Sequence, residues 1–257
     1  DPKRLDSHYP YKELSGCGIG FKLIQAIQKE KHRSFDEILN FLDLVAISIA
    51  ADVVPLTGEN RVLAFYGLKV INRCPRVGIE AILSYSKIKP EPNAKLYFNR
   101  ELTISDLVFL VGPRINAAGR MESGGKAVEL LKSNSREEVE KIAAEINQNN
   151  EARKDLDKKA TEEAKKMLTS CADLTSKKTT VVYGKDWHKG VIGIVASRLI
   201  EKYYKPTIVF TKSNDLITGS ARSVKDFDIY AAIESCSHLL THFGGHTMAA
   251  GLGLKRE

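Results

Sequence analysis

Residues 179–184 read TTVVYG and residues 206–212 read PTIVFTK, two short runs that are rich in β-branched residues. Between them, GVIGIVASRLIEKYY (190–204) has the apolar spacing of a helix, and LITGSARS (216–223) supplies a third strand-like run. The order strand, helix, strand, strand predicts a small α/β domain in this part of the chain. The overall fold class is therefore predicted to be α/β.

The preceding sequence predicts helical packing. GFKLIQAIQKE (20–30), FDEILNFLDLVAISIAAD (35–52), NRVLAFYGLKVINR (60–73) and VGIEAILSYSK (77–87) all carry apolar residues at three- and four-residue spacing. The run LDLVAISIAADVVPL is apolar on nearly all sides, which indicates a helix buried in a core.

A long charged segment separates these two parts. From Ser135 to Leu168 the sequence is dense in good helix formers and contains no Pro or Gly, which predicts one exposed helix of about 30 residues between two domains. Asp155 and Asp157 lie two positions apart on this helix and point away from each other. We therefore predict solvated surface charges there, and no metal site.

Composition favours a polyanionic partner. The 257 residues carry a formal net charge of +7, which suits nucleic acid. No apolar run approaches the roughly 18 residues that a bilayer crossing needs, so we expect no membrane association. The four cysteines are far apart in the sequence, which argues for a reducing compartment and a cytoplasmic location.

The motif WHKGVIGIVASRL (187–199) places Gly190 and Gly193 at the start of a predicted helix that also carries Arg198. Exposed backbone N–H groups at a helix start favour an anion. The alternative is that the glycines only allow close packing of the helix on the sheet.

The motif GSARS (219–223) places Ser220 and Arg222 on one face of a strand. A hydroxyl and a guanidinium side by side can bind one phosphate, the arginine through its fork of donors. This pairing alone is a weak signal, which its neighbours strengthen.

Two further motifs combine glycine with basic side chains. In GPRINAAGRM (112–121), Arg114 and Arg120 bracket Asn116, and small residues allow a phosphodiester to approach; the alternative is a pair of surface arginines that cap a helix. In HFGGHTMAAG (242–251), two glycines precede a histidine, which indicates either a site or a tight turn with a surface histidine.

In chain order, six segments resemble the successive motifs of the RecJ family, single-strand-specific DNA exonucleases of the DHH phosphoesterase superfamily. They are YPYKELSGCGIGFKL, ADVVPLTGENR, GPRINAAGRM, WHKGVIGIVASRL, GSARS and FGGHTMAAG. The resemblance implies the mostly helical remainder of a DHH domain over 1–134, a long connecting helix over 135–170 and a small α/β DHH-associated domain with a GGH motif over 171–257.

The resemblance also implies 5′→3′ hydrolysis of single-stranded DNA in repair and recombination, with two Mn²⁺ or Mg²⁺ ions as cofactors and DNA-repair proteins as partners. It implies a metal ligand at Asp52, with His188 and His246 nearest the scissile phosphate. The residues that it implies for binding the terminal phosphate and the strand are Arg114, Asn116, Arg120, Arg198, Ser220, Arg222, Ser223, Gly244 and Gly245.

The family's other metal ligands belong to an Asp-x-Asp motif, a second aspartate motif and an Asp-His-His motif, which in the family lie before the segment that matches DPKR. The sequence has no Asp-His-His triplet, and its only Asp-x-Asp strings are DLD (155–157), in the charged helix, and DFD (226–228), near GSARS. We therefore expect a RecJ fragment that is inactive alone and that exposes the apolar LDLVAISIAADVVPL helix to a partner or to a second copy. The alternatives are a non-catalytic module that binds single-stranded nucleic acid and another DHH-family phosphodiesterase.

Overall fold

The chain folds into two compact units, Asp1–Asn150 and Glu151–Glu257, in the computed structural model. The division falls inside the longest helix. The structure describes residues 1–52, 54–92, 95–121, 123–170 and 176–255. The predicted α/β class is confirmed, because helices precede a mixed sheet of five strands. The division into 1–134, 135–170 and 171–257 stays a prediction.

Helices build the first unit. Their bounds are α1 (Gly16–Glu30), a 3-10 helix (Phe35–Phe41), α2 (Leu42–Asp52), α3 (Gly58–Arg73), α4 (Val77–Leu83), α5 (Ile104–Asp106), a π-helical turn (Leu107–Val111), α6 (Gly112–Met121), α7 (Gly125–Lys132) and the first part of α8 (Arg136–Thr169). The single helix predicted over 35–52 is thus two elements, a 3-10 helix that Ser34 caps and then α2.

Helix α2 is buried inside this unit. It packs against α1, α3, α6 and the π-helical turn. Gly67 of α3 makes the closest approach, since a Cβ atom there would lie 2.2 Å from the carbonyl oxygen of Leu42. The expectation that α2 exposes an apolar surface is therefore wrong, while self-association stays a prediction. Exposed apolar side chains lie on α1 and α3 instead: Leu23, Ile24, Ile27, Val62, Phe65 and Tyr66.

The second unit is a sheet with helices on both faces. Its elements are the rest of α8, β1 (Thr180–Tyr183), α9 (Ile192–Tyr203), β2 (Thr207–Ser213), β3 (Leu216–Arg222), α10 (Ile229–Glu234), a 3-10 helix (Ser237–Leu239), β4 (His242–His246) and β5 (Ala249–Lys255). The strand order is β1-β2-β3-β5-β4, with β1 and β2 parallel and the other pairs antiparallel. The predicted strand, helix, strand, strand order is confirmed.

The two faces of this sheet have different neighbours. Val209 belongs to the core under α8 and α9, whereas Leu252 and Phe243 pack with α10 on the other face. Helix α9 packs over β2 and β3. On the same face of the sheet, β5 and β4 carry exposed residues. Within the described ranges no helix combines the length and the hydrophobicity that a bilayer crossing needs.

Helix α8 spans 34 residues, as predicted. Asp155 is exposed, but Asp157 is only 1% exposed. The carboxylate of Asp157 accepts hydrogen bonds from Arg198 Nη2 (2.7 Å) and Thr161 Oγ1 (3.3 Å). The prediction of a solvated charge is therefore wrong for Asp157, because its side chain is turned toward α9.

A capping box begins the helical segment that leads into GPRINAAGRM. Asp106 accepts a hydrogen bond from the backbone N–H of Thr103 at 2.8 Å and binds Arg100 through both carboxylate oxygens, at 2.9 and 2.6 Å. The Arg100 guanidinium lowers the pKa of Asp106 to about 2. Hydrogen bonds from the backbone N–H and the hydroxyl of Thr103 add to this effect. The carboxylate is therefore expected to stabilise the folded state.

We expect Asp106→Asn to lower the free energy of unfolding of the first unit by roughly 1–2 kcal/mol at neutral pH. The folded pKa lies below the ordinary value of 3.8, so the stabilisation is fully present above that value and is lost as the pH falls toward 2. Urea unfolding followed by circular dichroism between pH 7 and pH 3 measures the difference. Asp6→Asn, at an exposed ion pair, is the control. A difference that does not shrink with falling pH would contradict the assignment.

Candidate nucleic-acid interface

The hairpin of β4 and β5 has an open face without side chains at its centre. Gly244 and Gly251 are register partners, and a Cβ atom on either would meet nothing within 4 Å. His242 and His246 flank Gly244 on the same face, because side chains alternate along a strand, and both are exposed. We call Gly244 and Gly251 the glycine floor. An extended chain can lie close to the sheet there, between two imidazole rings.

Strand β3 brings Ser220 and Arg222 to this face. Ser220 pairs with Gly251, while Arg222 pairs with Ala249, which in turn pairs with His246. Neighbouring strands lie about 4.8 Å apart, so the Cα atoms of Arg222 and His246 are separated by roughly 10 Å. Arg222 Nη1 donates hydrogen bonds to Ser220 Oγ at 3.1 Å and to a neighbouring carbonyl oxygen at 2.8 Å. The structure thus places the two predicted phosphate ligands beside the glycine floor.

Helix α9 begins against the Ser220–Arg222 pair. A Cβ atom at Gly193 would lie 2.8 Å from Arg222 Nη2 and 2.9 Å from Ser220 Oγ. Gly193 therefore serves close packing, as the alternative interpretation predicted, and that packing puts the polar pair next to the first turn of the helix. A helix N-terminus carries partial positive charge. Hydroxyl, guanidinium and helix terminus together form a site of positive potential that suits a phosphate.

The rings of His188 and His246 are oriented by backbone amides. Nδ1 of His188 accepts from the N–H of Gly190 at 3.0 Å, and Nδ1 of His246 accepts from the N–H of Met248 at 3.3 Å. A neutral imidazole whose Nδ1 accepts carries its proton on Nε2. Each ring therefore presents an N–H donor, which suits a phosphate oxygen. A metal ion needs an unprotonated nitrogen, so this arrangement does not favour metal ligation.

Arg198 lies apart from the other predicted phosphate ligands. Its Nη2 donates to Oδ2 of the buried Asp157, at 2.7 Å. The predicted grouping of Arg198 with Ser220 and Arg222 is therefore not observed, because this guanidinium neutralises a carboxylate of α8. A buried carboxylate without such a partner would be strongly destabilising.

Ser223 and Gly245 both lie close to backbone atoms of neighbouring residues in the second unit. Ser223 is 6% exposed, and its hydroxyl donates to the carbonyl oxygen of Phe227 at 2.6 Å. The hydroxyl is turned inward, and a nucleic-acid contact of Ser223 stays a prediction. A Cβ atom at Gly245 would lie 2.3 Å from the carbonyl oxygen of Ala249 and 2.5 Å from Cα of Ala250. Gly245 is therefore required by strand packing, whereas Gly244 faces the open surface.

Two residues of this face were not predicted. His242 shares a strand face with His246, and Gly251 completes the glycine floor opposite Gly244. The signal for His242 is the period of two along a strand, which puts every second residue of HFGGH on one side. Gly251 depends on the register between β4 and β5, which no local pattern fixes.

In the first unit, Arg114 is 8% exposed. It donates to Asn147 Oδ1 at 3.0 Å and to the carbonyl oxygens of Leu110 at 2.6 Å and Tyr85 at 3.3 Å. Its guanidinium therefore has acceptors within the first unit, and the prediction that Arg114 lines a strand path stays untested. Arg120 is exposed in the last turn of α6, where a nucleic-acid contact stays a prediction.

Asp52 and Asn116 line one cavity of the first unit, with a volume of about 610 Å³. Asp52 is exposed at the end of α2. Asn116 Nδ2 donates to the carbonyl oxygen of Ala51 at 3.1 Å and so fixes the last turn of α2. This contact supports Asp52 from α6. It gives Asn116 a positioning role, whereas the prediction was a direct contact with nucleic acid.

The described residues do not fit a two-metal centre. Among them, no three His, Cys, Asp or Glu side chains are grouped so that they could hold a metal ion. Asp52 is the single predicted ligand, whereas Mg²⁺ and Mn²⁺ sites use several oxygen or nitrogen ligands.

We expect Gly245→Ala to lower the free energy of unfolding of the second unit by roughly 1–3 kcal/mol, because the added Cβ meets backbone atoms of β5. Gly244→Ala is the matched control and should change stability by less than about 0.5 kcal/mol. Urea unfolding followed by fluorescence of the single tryptophan, Trp187, measures both variants. Equal effects at the two positions would show that the strand packing described for Gly245 is wrong.

Known proteins resemble this chain in sequence and in fold. The family model of the DHHA1 domain matches residues 176–257. The single-stranded-DNA-specific exonuclease RecJ of Bacillus subtilis is 39% identical over 259 residues, which cover 100% of this chain and 31% of that protein. The Escherichia coli protein of the same name is 34% identical over 278 residues, covering 100% of this chain and 46% of the relative. The chain thus spans less than half the length of these curated relatives.

A solved structure has the same fold. The crystal structure of RecJ from Thermus thermophilus in complex with Mn²⁺ superposes with a TM-score of 0.80 at 29% identity, covering 96% of this chain and 35% of that chain. A crystal structure of exonuclease RecJ bound to manganese gives a TM-score of 0.75 at 28% identity, over 98% of this chain and 59% of that one. Along its whole length the chain is thus similar to a segment of the RecJ exonucleases.

Proposed function

We propose that this chain is the part that binds the DNA strand in a metal-dependent 5′→3′ exonuclease, which hydrolyses phosphodiester bonds of single-stranded DNA. The observation that carries the proposal is the open sheet face of the second unit, where Ser220, Arg222 and the start of α9 lie beside the glycine floor. The names of the relatives, single-stranded-DNA-specific exonucleases, support the substrate class. Action in DNA repair and recombination, and a cytoplasmic location, are further parts of the proposal that rest on the resemblance and on the cysteine spacing.

In this proposal the second unit binds the phosphates. Arg222 and Ser220 hold one phosphate at the N-terminus of α9, and His188 and His246 donate from Nε2 to phosphate oxygens. The glycine floor admits the sugar–phosphate chain. These donors suit the phosphodiester backbone that every nucleotide shares, so binding is expected to be independent of base sequence.

Divalent metal would supply the hydrolytic step by activating water and neutralising charge on the phosphate. RecJ from Thermus thermophilus has been solved with Mn²⁺ and with Mg²⁺. We propose Asp52 as one ligand from this chain. Among the described residues, no three possible metal ligands are grouped together.

We expect the isolated 257-residue chain to release no nucleotides from 5′-phosphorylated single-stranded DNA when Mn²⁺ or Mg²⁺ is added, because one proposed carboxylate ligand cannot hold two metal ions. Gel analysis of an end-labelled oligonucleotide measures this. Processive release of nucleotides that EDTA abolishes would overturn the expectation, because the chain would then carry a complete metal centre.

We expect Arg222→Gln to weaken binding of a 5′-phosphorylated single-stranded oligonucleotide by roughly tenfold and to reduce the slope of log K against log salt by about 0.7, the value for one lost phosphate contact. Fluorescence anisotropy across a salt series measures both quantities. Lys212→Gln is the matched control, since Lys212 is exposed on the opposite face of the same sheet. Equal losses in the two variants would mean that this face has no special part in binding.

A non-catalytic module that binds single-stranded nucleic acid is the second candidate. The observation that favours it is the lack, among the described residues, of a group of side chains that could hold a metal. Salt-sensitive binding without turnover fits this candidate for the isolated chain. Turnover after addition of the segments that the longer relatives carry would favour the nuclease for the whole protein.

A further inference from the structure

Trp187, the residue before His188, is anchored on several sides. It is 7% exposed, and its indole Nε1 donates to Oε2 of Glu163 on α8 at 2.7 Å. Its carbonyl oxygen accepts a hydrogen bond from Thr211 Oγ1 at 2.6 Å. The ring lies against Gly184, where an added Cβ atom would come within 2.1 Å of it. This tryptophan therefore has little freedom to move.

His188 is held directly after this anchor. Its carbonyl oxygen accepts from the N–H of Val191 at 3.0 Å, and its Nδ1 accepts from the N–H of Gly190 at 3.0 Å. The loop is thus fixed at one end by Trp187 and at the other by the turn that starts α9. The direction of the His188 Nε2–H depends on both ends.

We propose that Glu163 is a positioning residue that fixes the His188 ring through Trp187. The inference rests on the proposed function, in which His188 donates to a phosphate. Glu163 is an exposed residue of a charged helix, so its sequence context indicates only a solvated face. Its hydrogen bond to a buried indole is charge-assisted and is therefore stronger than a bond between neutral groups.

Loss of the Glu163 carboxylate leaves the indole N–H of Trp187 without its acceptor inside the core of the second unit. A buried tryptophan usually finds a hydrogen-bond partner, and an unpaired one is destabilising. The ring then gains freedom to shift, and His188 shifts with it. Small displacements of a group that contacts substrate have large effects on its interaction.

The test compares Glu163→Ala with Glu163→Gln and Glu162→Ala in the full chain. Glutamine keeps an acceptor oxygen and should restore behaviour close to that of the original protein, and Glu162 is a neighbouring exposed carboxylate of the same helix. We expect Glu163→Ala to bind a 5′-phosphorylated single-stranded oligonucleotide roughly five- to tenfold more weakly, with Glu162→Ala unchanged. Unchanged affinity in Glu163→Ala would overturn the proposal.

A second readout separates positioning from loss of stability and from failure of the proposed function. Nitrogen-15 NMR of the His188 ring reports its tautomer and surroundings without any ligand. We expect shifted His188 signals in Glu163→Ala and in Trp187→Phe, which keeps an aromatic ring but has no N–H, and unshifted signals in Glu162→Ala. If the original protein binds no oligonucleotide, the proposed function fails, while these signals still decide the positioning role. Unshifted His188 signals in both variants would refute it.

Discussion

The register among β3, β5 and β4 is the constraint on which the candidate interface depends. Ser220, Gly251 and Gly244 form one row across the three strands, and Arg222 and His246 belong to the next row. A slip of one residue would turn a strand's side chains to the face that packs with α10. Gly245 helps to fix this register, because only the absence of a side chain lets its backbone pass Ala249 and Ala250 so closely.

Helix α8 gives this sheet a fixed support. Asp157 pairs with Arg198 on α9, and Glu163 bonds to Trp187 in the preceding loop, so two carboxylates of one helix hold the elements next to the proposed phosphate site. Because Asp157 is buried, its charge needs a partner in place, which explains why Arg198 is turned away from Ser220 and Arg222. Helix α8 thus stabilises the fold of the second unit through these two hydrogen bonds.

The sequence predicts the parts that local periodicity controls. The order of strands and α9, the length of α8 and the shared face of Ser220 and Arg222 all follow from alternation or helical spacing within one segment. The roles of Arg114 and Arg198 do not follow from local spacing, because a guanidinium can bind a carbonyl oxygen, a carboxylate or a phosphate. Their partners Asn147 and Asp157 lie 33 and 41 residues away, at separations that no local pattern encodes.

Binding and hydrolysis place opposite chemical demands on side chains. The open face of the second unit presents donors, namely a guanidinium, a hydroxyl, a helix N-terminus and the imidazole N–H of His246, whose Nδ1 accepts from a backbone amide. Such a surface attracts an anion without help from a metal ion. Metal ions require acceptors, and in the described residues the proposed acceptor is Asp52, which belongs to the first unit. The donors that suit a phosphate and the proposed acceptor for a metal ion thus belong to different units of the chain.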